Sequence, residues 1–226
     1  MHNIIKTLLI FVFALLCSCS KSGMNTATKT ISEETDSYSI NCEIITADGK
    51  TEGINQFNEL CNGEINQWVE DFKTRAERLT VAGSEKPCLQ ARNSIKLNNN
   101  KILSLVTEKY VYTNGLHGNT WWSAKNYDIK NDCLVRLPDL FIDDKYPEIL
   151  AQRISELIEN DSETYHDLWE EPTIDSNRND KFYLDDKNLV IFYQPYELSY
   201  YARGVVEFPI PLEKIRGYIK PEYLPG

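Results

Sequence analysis

Between Ile54 and Leu79 the apolar residues Ile54, Phe57, Leu60, Ile65, Trp68, Val69, Phe72, Ala76 and Leu79 recur mostly at steps of three and four. That spacing gathers them into one stripe of an amphipathic α-helix. Such a helix rises about 40 Å at about 1.5 Å per residue, so its stripe needs an equally long apolar surface to cover. A sheet face or a second long helix meets that need. Asn62-Gly63 marks a possible interruption, because glycine weakens a helix interior.

The rest of the chain supplies strands. Residues Tyr38 to Thr46 alternate apolar and polar side chains and end at Asp48-Gly49, a turn pair. Cys88 to Leu97 and Lys101 to Thr113 read as a hairpin around Asn98-Asn99-Asn100, whose side chains tolerate the left-handed backbone of a tight turn. Trp121 to Ile129 continues the meander, and Asn131-Asp132 turns it into a short strand from Cys133 to Leu137. A second helix has Pro147 in its first turn, Asp144 as its cap, and Ile149, Leu150, Ile154, Leu157 and Ile158 on one face. Phe182 to Leu184 and Leu189 to Tyr193 form a further hairpin, Val205 to Ile210 a last strand, and Pro211 to Ile219 a terminal turn of helix. Strands mixed with two main helices, without βαβ alternation, predict an α+β fold: antiparallel sheets packed against the helices in a single module of two lobes.

The N-terminus predicts export. Lys6 precedes an apolar run from Thr7 to Leu16, too short to span a bilayer, and the order of charged, apolar and small residues is that of a secretory signal. Leu16-Cys17-Ser18-Cys19 resembles a bacterial lipobox, which makes residues 1–18 a signal peptide and Cys19 the lipidated first residue of the mature chain. Residues 19–37, rich in Ser, Thr and Lys, then read as a flexible tether. The expected location is the bacterial cell envelope, periplasmic or surface-facing, with a lipid anchor as the membrane contact.

The formal net charge is −10, and removing residues 1–18 takes away only Lys6, leaving −11. No basic cluster offsets this, so nucleic acid is not an expected partner. An acidic surface instead favours encounter with cationic partners and makes that encounter sensitive to salt. Four cysteines remain, Cys42, Cys61, Cys88 and Cys133, and an oxidising compartment predicts two disulfides. Three pairings are open, with Cys42–Cys61 and Cys88–Cys133 preferred. No Cys-x-x-Cys occurs and only His117 and His166 could complete a zinc site, so neither metal nor cofactor is expected.

Five blocks follow one another in a recognisable order: Tyr112-Thr-Asn-Gly-Leu-His-Gly118, Tyr127-Asp-Ile129, Leu137-Pro-Asp-Leu-Phe141, Phe182 to Tyr193, and Pro195-Tyr-Glu-Leu-Ser-Tyr-Tyr-Ala-Arg-Gly204. In them residues 38–220 resemble the paired domains of unknown function shared by the lysozyme-sensing anti-sigma factor RsiV and the non-catalytic part of the peptidoglycan deacetylase PdaC. The resemblance implies a PdaC-like lobe over 38–137 and an RsiV-like lobe over 138–226. It further implies an extracytoplasmic module whose best understood relative binds lysozyme. Anti-sigma activity is not implied, since the sigma-binding and transmembrane segments of RsiV have no counterpart here. Where the family usually has Gly-Gly-Ala-His-Gly, this chain has Asn114-Gly-Leu-His-Gly118, and asparagine can adopt the glycine-like conformation.

Candidate ligand-binding residues fall in two stretches. Tyr112, His117, Trp121 and Trp122 lie in the glycine-rich connection, where flanking glycines permit close approach of a ligand and adjacent tryptophans on a strand point to opposite faces. A histidine in such a connection can equally be structural, and either tryptophan can be covered by the helix. Tyr193, Tyr196, Tyr200 and Tyr201 concentrate rigid amphipathic surface suited to binding, or alternatively pack the lobes together. Glu197 and Arg203 in that loop are a possible ion pair. Asp143-Asp144 and Asp185-Asp186 read as a cap and a turn, without the regular spacing of a calcium loop. No Gly-x-Ser-x-Gly, His-Glu-x-x-His or His-x-x-x-His occurs, so no catalytic residues are assigned. The expected function is recognition of a lysozyme-like cationic protein or of peptidoglycan. The alternatives are an accessory envelope protein without a small ligand, and a cell-wall hydrolase with an unrecognised carboxylate pair.

Overall fold

The first strand, β1 (Thr26–Glu34), pairs along its whole length with β2 (Ser39–Ala47), Thr26 opposite Ala47 and Glu34 opposite Ser39. This comes from a computed structural model that describes residues 23–79, 84–175 and 178–224. Residues 26–34 are therefore not the flexible tether their composition predicts. Their polarity has another cause: β1 ends the sheet and exposes most of its side chains, with Ile31 packing inward. The signal peptide and Cys19 lie outside the described residues.

Helix α1 (Glu52–Leu79) follows, with Ile54, Phe57, Cys61, Ile65, Val69, Phe72 and Ala76 buried. It runs without a break through Asn62-Gly63, because Gly63 sits on the exposed face where no packing depends on a side chain. Ile65, Val69, Phe72 and Ala76 form a core with Tyr38, Ile40, Cys42, Leu89 and Ala91, in which Tyr38 meets the edge of Phe72 at 5.9 Å. Helix α1 returns the chain so that β3 (Cys88–Asn98) pairs with β2 in parallel, Ser39 opposite Cys88 and Cys42 opposite Ala91. One parallel pair thus enters an otherwise antiparallel expectation, since a long crossover helix allows what a hairpin cannot.

Asn99 then turns the chain with its side chain, Oδ1 accepting from the backbone N–H of Lys101 and Ile102 at 2.8 Å each. Strands β4 (Ile102–Tyr112), β5 (Asn119–Asp128) and the two-residue β6 (Cys133–Leu134) complete a six-stranded sheet in sequential order. Helix α2 (Tyr146–Asn160) buries Leu150 and Ile154. It is capped at Lys145 rather than at Asp144: Asp143 Oδ1 accepts the Lys145 N–H at 3.0 Å and no side chain caps the helix. A second sheet joins β7 (Phe182–Leu184), β8 (Asn188–Tyr193) and β9 (Val206–Pro211), all antiparallel, followed by the short α3 (Leu212–Ile215). The architecture is α+β with two main helices.

Two compact units emerge, neither continuous in sequence. One comprises Asn25–Asn93 and Thr107–Thr120; the other comprises Ser94–Val106 and Trp121–Gly226 with Gly23 and Met24. A division at 137/138 differs from this because β3 and β4 are long enough for their two ends to serve different cores. Leu89 and Ala91 of β3 share a core with residues of α1, whereas Leu97 packs against the core of the second unit, which includes Leu150, Phe182, Ile191 and Phe208.

No disulfide joins Cys42, Cys61, Cys88 or Cys133, contrary to expectation. Cys42 is wholly buried between β2 and β3, and desolvation pushes its thiol up to about 12. Its alignment with Ala91, three residues past Cys88, separates Cys42 and Cys88 by about 10 Å along the strands, more than the roughly 7 Å a disulfide spans. Cys133 is exposed on β6, its thiol raised by partial burial and by Asp128, Asp139 and Asp132.

Candidate functional site

In the first unit Tyr112 ends β4 half-buried, and the chain reverses over residues 113–118. Asn114 takes φ 62°, the left-handed value glycine would otherwise supply, and its side-chain amide donates to the Leu79 carbonyl. His117 is exposed and donates from Nδ1 to the Gly118 carbonyl at 2.7 Å. Gly118 is buried against the Tyr110 ring, with no room for a β-carbon. The glycine thus answers to packing, and the histidine closes its own turn.

In the second unit Trp121 and Trp122 are both half-buried. The Trp122 ring meets the edge of Phe192 at 5.9 Å and is roofed by the Lys96 ammonium, 5.4 Å from its centroid, which also stands 4.8 Å above the Tyr183 ring. Its backbone is clamped by Gln194, whose Nε2 donates to Trp122 O at 2.7 Å and whose Oε1 accepts from Trp122 N at 2.8 Å. Trp122 is therefore a packed residue whose face is already covered by a cation.

Tyr193 is likewise a core residue, 2 % exposed. It lies edge-on to Phe208 at 5.7 Å, its hydroxyl donates to the Thr173 carbonyl at 2.7 Å, and the Arg178 guanidinium covers its ring at 4.1 Å. β8 is buried on both faces, so an aromatic at its end joins the core whichever way it points. Burial raises the Tyr193 hydroxyl to about 12, with the nearby Arg178 pulling the other way.

The loop after β8 presents the remaining tyrosines. Tyr196 and Tyr200 are 56 % and 49 % exposed, and Tyr196 and Tyr201 lie ring to ring at 5.6 Å. Tyr196 has φ 71°, a left-handed value that costs a side-chain-bearing residue about 1–2 kcal/mol and is held only where surroundings impose it. Glu197 imposes it. Its Oε2 accepts the Gln194 N–H at 2.5 Å while its own N–H donates to the Gln194 carbonyl at 3.0 Å, closing the turn around Tyr196. Arg178 grips both Glu197 oxygens at 3.0 and 2.8 Å, and Lys181 adds a bond at 2.9 Å. Desolvation pushes the Glu197 carboxyl up, but these bonds outweigh it and the pKa falls to about 2. The partner of Glu197 is thus Arg178 with Lys181, not Arg203.

Alongside runs the acidic segment after α2. Trp169 N donates to Leu198 O at 2.9 Å, Ser199 Oγ to Asp167 O at 2.9 Å, and Arg203 to Thr164 O at 2.6 Å. Tyr165 fixes the segment to the core by stacking on Phe208 at 5.0 Å, its hydroxyl donating to Glu207 O. These bonds tie the backbone of Trp169, 54 % exposed, to Leu198 in the loop that carries Tyr196, Tyr200 and Tyr201. Residues 159–175 carry seven carboxylates and no lysine or arginine. The result is an aromatic patch on rigid loops in an acidic field. Trp169 escaped the sequence reading, although a tryptophan followed by two glutamates outside any apolar period is itself a sign of a surface ring.

Among the described residues no group of three His, Cys, Asp or Glu is placed to hold a metal, and no helix is long and apolar enough to cross a membrane. Asp185 makes a turn, its Oδ1 accepting Lys187 N and Asn188 N at 2.7 Å each.

Two stretches of the chain are similar to known protein families. A family model described as Deacetylase PdaC matches residues 31–120, and one described as a protein of unknown function, DUF3298, matches residues 138–213. The fold is shared with two crystal structures. A DUF3298 family member from Bacteroides fragilis NCTC 9343 has TM-score 0.69 at 17% identity, covering 89% of this chain and 96% of that one. A DUF3298 family protein from Pseudomonas aeruginosa PAO1 has TM-score 0.65 at 13% identity, covering 90% and 97%. A search of curated proteins finds no match. Two consecutive stretches of the chain are thus similar to a PdaC-type model and to the DUF3298 model, and the fold is that of the DUF3298 structures.

Proposed function

We propose that this chain is a non-catalytic receptor of the bacterial cell envelope that binds a cationic protein of the lysozyme class through the Trp169, Tyr196 and Tyr200 patch. The observation that carries this reading is the setting of those rings: roughly half-exposed, on loops tied together by backbone hydrogen bonds, beside a segment over 159–175 with seven carboxylates and no lysine or arginine of its own. Tyrosine and tryptophan are the side chains that most often anchor protein interfaces, and rigid loops lower the entropy lost on binding. The acidic surroundings supply long-range attraction to a basic partner. The mature chain without its lipid, captured on beads, is expected to retain hen egg-white lysozyme at low salt and less of it at moderate salt. Failure to retain lysozyme in either condition removes this reading, and co-sedimentation with peptidoglycan instead would move the ligand to the saccharide.

The chain is further proposed to be held at the membrane by acylation of Cys19, on the strength of Leu16-Cys17-Ser18-Cys19. Expressed with its leader in a bacterium, it is expected in the detergent-extracted membrane fraction, and Cys19→Ala to be released as soluble protein. Equal partition of both forms would contradict the anchor.

A further inference from the structure

Strand β1 has β2 as its one neighbour among the described residues, so a long edge of the six-stranded sheet is left open. Which groups face that edge follows from the ladder with β2. Thr35 N donates to Tyr38 O at 2.9 Å just past one end, and Asp48 N donates to Asn25 O at 2.8 Å just past the other, both in line with the β1–β2 register. Hydrogen-bonded pairs in an antiparallel ladder recur at every second residue. Ala27, Lys29, Ile31 and Glu33 therefore bond to β2, and Thr26, Thr28, Thr30, Ser32 and Glu34 turn their N–H and C=O groups outward. Such an edge is ordinarily blunted by shortness, a bulge or a proline. The opposite edge is short, since β6 has two residues. β1 has nine in unbroken register, without proline and with three threonines, which favour strand.

We infer that β1 is the interface with a second copy of this chain, two β1 strands pairing antiparallel about a two-fold axis at Ile31. The pairing extends the sheet through backbone bonds, the outward groups of Thr28 meeting those of Glu34 in the second copy and those of Thr30 meeting those of Ser32. Charge selects this register. Lys29 is exposed and has no ion pair among the described residues, while Glu33 is held in place by the Tyr38 hydroxyl at 2.6 Å and by Lys73 at 2.8 Å. With the axis at Ile31, Lys29 stands opposite Glu33 of the second copy in a non-hydrogen-bonded pair, the kind whose side chains lie closest, and Ile31 meets its own symmetry mate. Moving the axis to Thr30 sets Lys29 against Ile31, and moving it to Lys29 sets the two lysines against each other. The dimer is independent of the ligand, since the proposed aromatic patch lies in the other unit.

The test is sedimentation velocity of the mature chain without its lipid, from micromolar to near-millimolar concentration, at moderate salt that screens the like net charge of the two copies. A reversible monomer–dimer equilibrium is expected. Thr30→Pro removes an N–H that β2 does not use, so the folded monomer keeps its ladder while dimerisation weakens about tenfold or more, the scale of two backbone bonds lost across the two-fold axis. Amide exchange followed by NMR needs no variant and stands even where Thr30→Pro fails to fold. In dilute protein the Thr28, Thr30 and Ser32 amides are expected to exchange fast and those of Lys29 and Ile31 slowly, and at high concentration the first three become protected. A native chain that stays monomeric throughout overturns the inference, as does a dimer that forms equally well in folded Thr30→Pro or leaves those three amides unprotected. Protection that appears only when lysozyme is added, with the chain itself still monomeric, also overturns it and assigns the edge to the ligand.

Discussion

Glu197→Gln is expected to cost about 3–5 kcal/mol of stability at neutral pH, the usual consequence of removing one member of a largely buried ion pair. The reason is local. Arg178 has a side-chain exposure of only 10 % and would be left over the Tyr193 ring without its counter-ion. The lowered pKa of Glu197 points the same way. A carboxyl whose pKa falls from its ordinary 4.5 to about 2 on folding contributes about 3 kcal/mol. The sign follows from the direction: a lowered acid stabilises fully above its unfolded pKa and loses that contribution as pH falls through the folded value. The gap between native chain and Glu197→Gln, measured by urea unfolding, should therefore be largest above pH 5 and shrink steadily toward pH 2–3. A gap independent of pH would mean that the charge is not the cause. Because Glu197 also closes the turn that holds Tyr196 at φ 71°, the same variant is expected to loosen the aromatic patch.

Asn126→Ala is expected to cost about 3 kcal/mol for a different reason. Asn126 on β5 and Ser104 on β4 are 2 % and 0 % exposed and hydrogen-bond each other at 2.5 Å. Asn126 Nδ2 donates to Phe182 O at 3.0 Å, and Ser104 Oγ accepts Leu184 N at 3.0 Å. Those two contacts satisfy backbone groups of β7, the edge of the three-stranded sheet. Truncation leaves the Phe182 carbonyl and the Ser104 hydroxyl buried with one partner fewer, each loss costing about 1–3 kcal/mol. Ser104→Ala should be similarly costly, and the double variant less costly than the two single effects added, since the pair shares one network. Strict additivity in denaturant unfolding would contradict the coupling.

Much of this architecture was legible in the chain. The three- and four-residue steps from Ile54 to Ala76 located α1, and the only signal against it, Gly63, proved harmless because it faces solvent. The asparagine run at 98–100 marked the β3–β4 turn for the physical reason observed, an Asn99 side chain satisfying the turn. β1 was hidden because an exposed edge strand has the composition of a tether. The parallel pairing of β2 with β3 was hidden because pattern gives strands but not partners. At the site, composition identified the tyrosine loop but not which rings face out. Tyr193 is buried and Tyr196 exposed three residues later because β8 ends between them and Glu197 reverses the chain. Trp169 joined the site only through backbone bonds between segments some thirty residues apart, which no local pattern encodes.

The central claim is that the exposed rings of the second unit hold a basic protein, and titration calorimetry of hen egg-white lysozyme against single variants tests it most directly. Trp169→Ala and Tyr200→Ala are each expected to weaken binding about thirtyfold or more, as truncation of an interface anchor does. Tyr218→Ala, which removes another exposed ring outside the patch, should leave the affinity unchanged. Equal affinity for all three variants and the native chain would contradict the account.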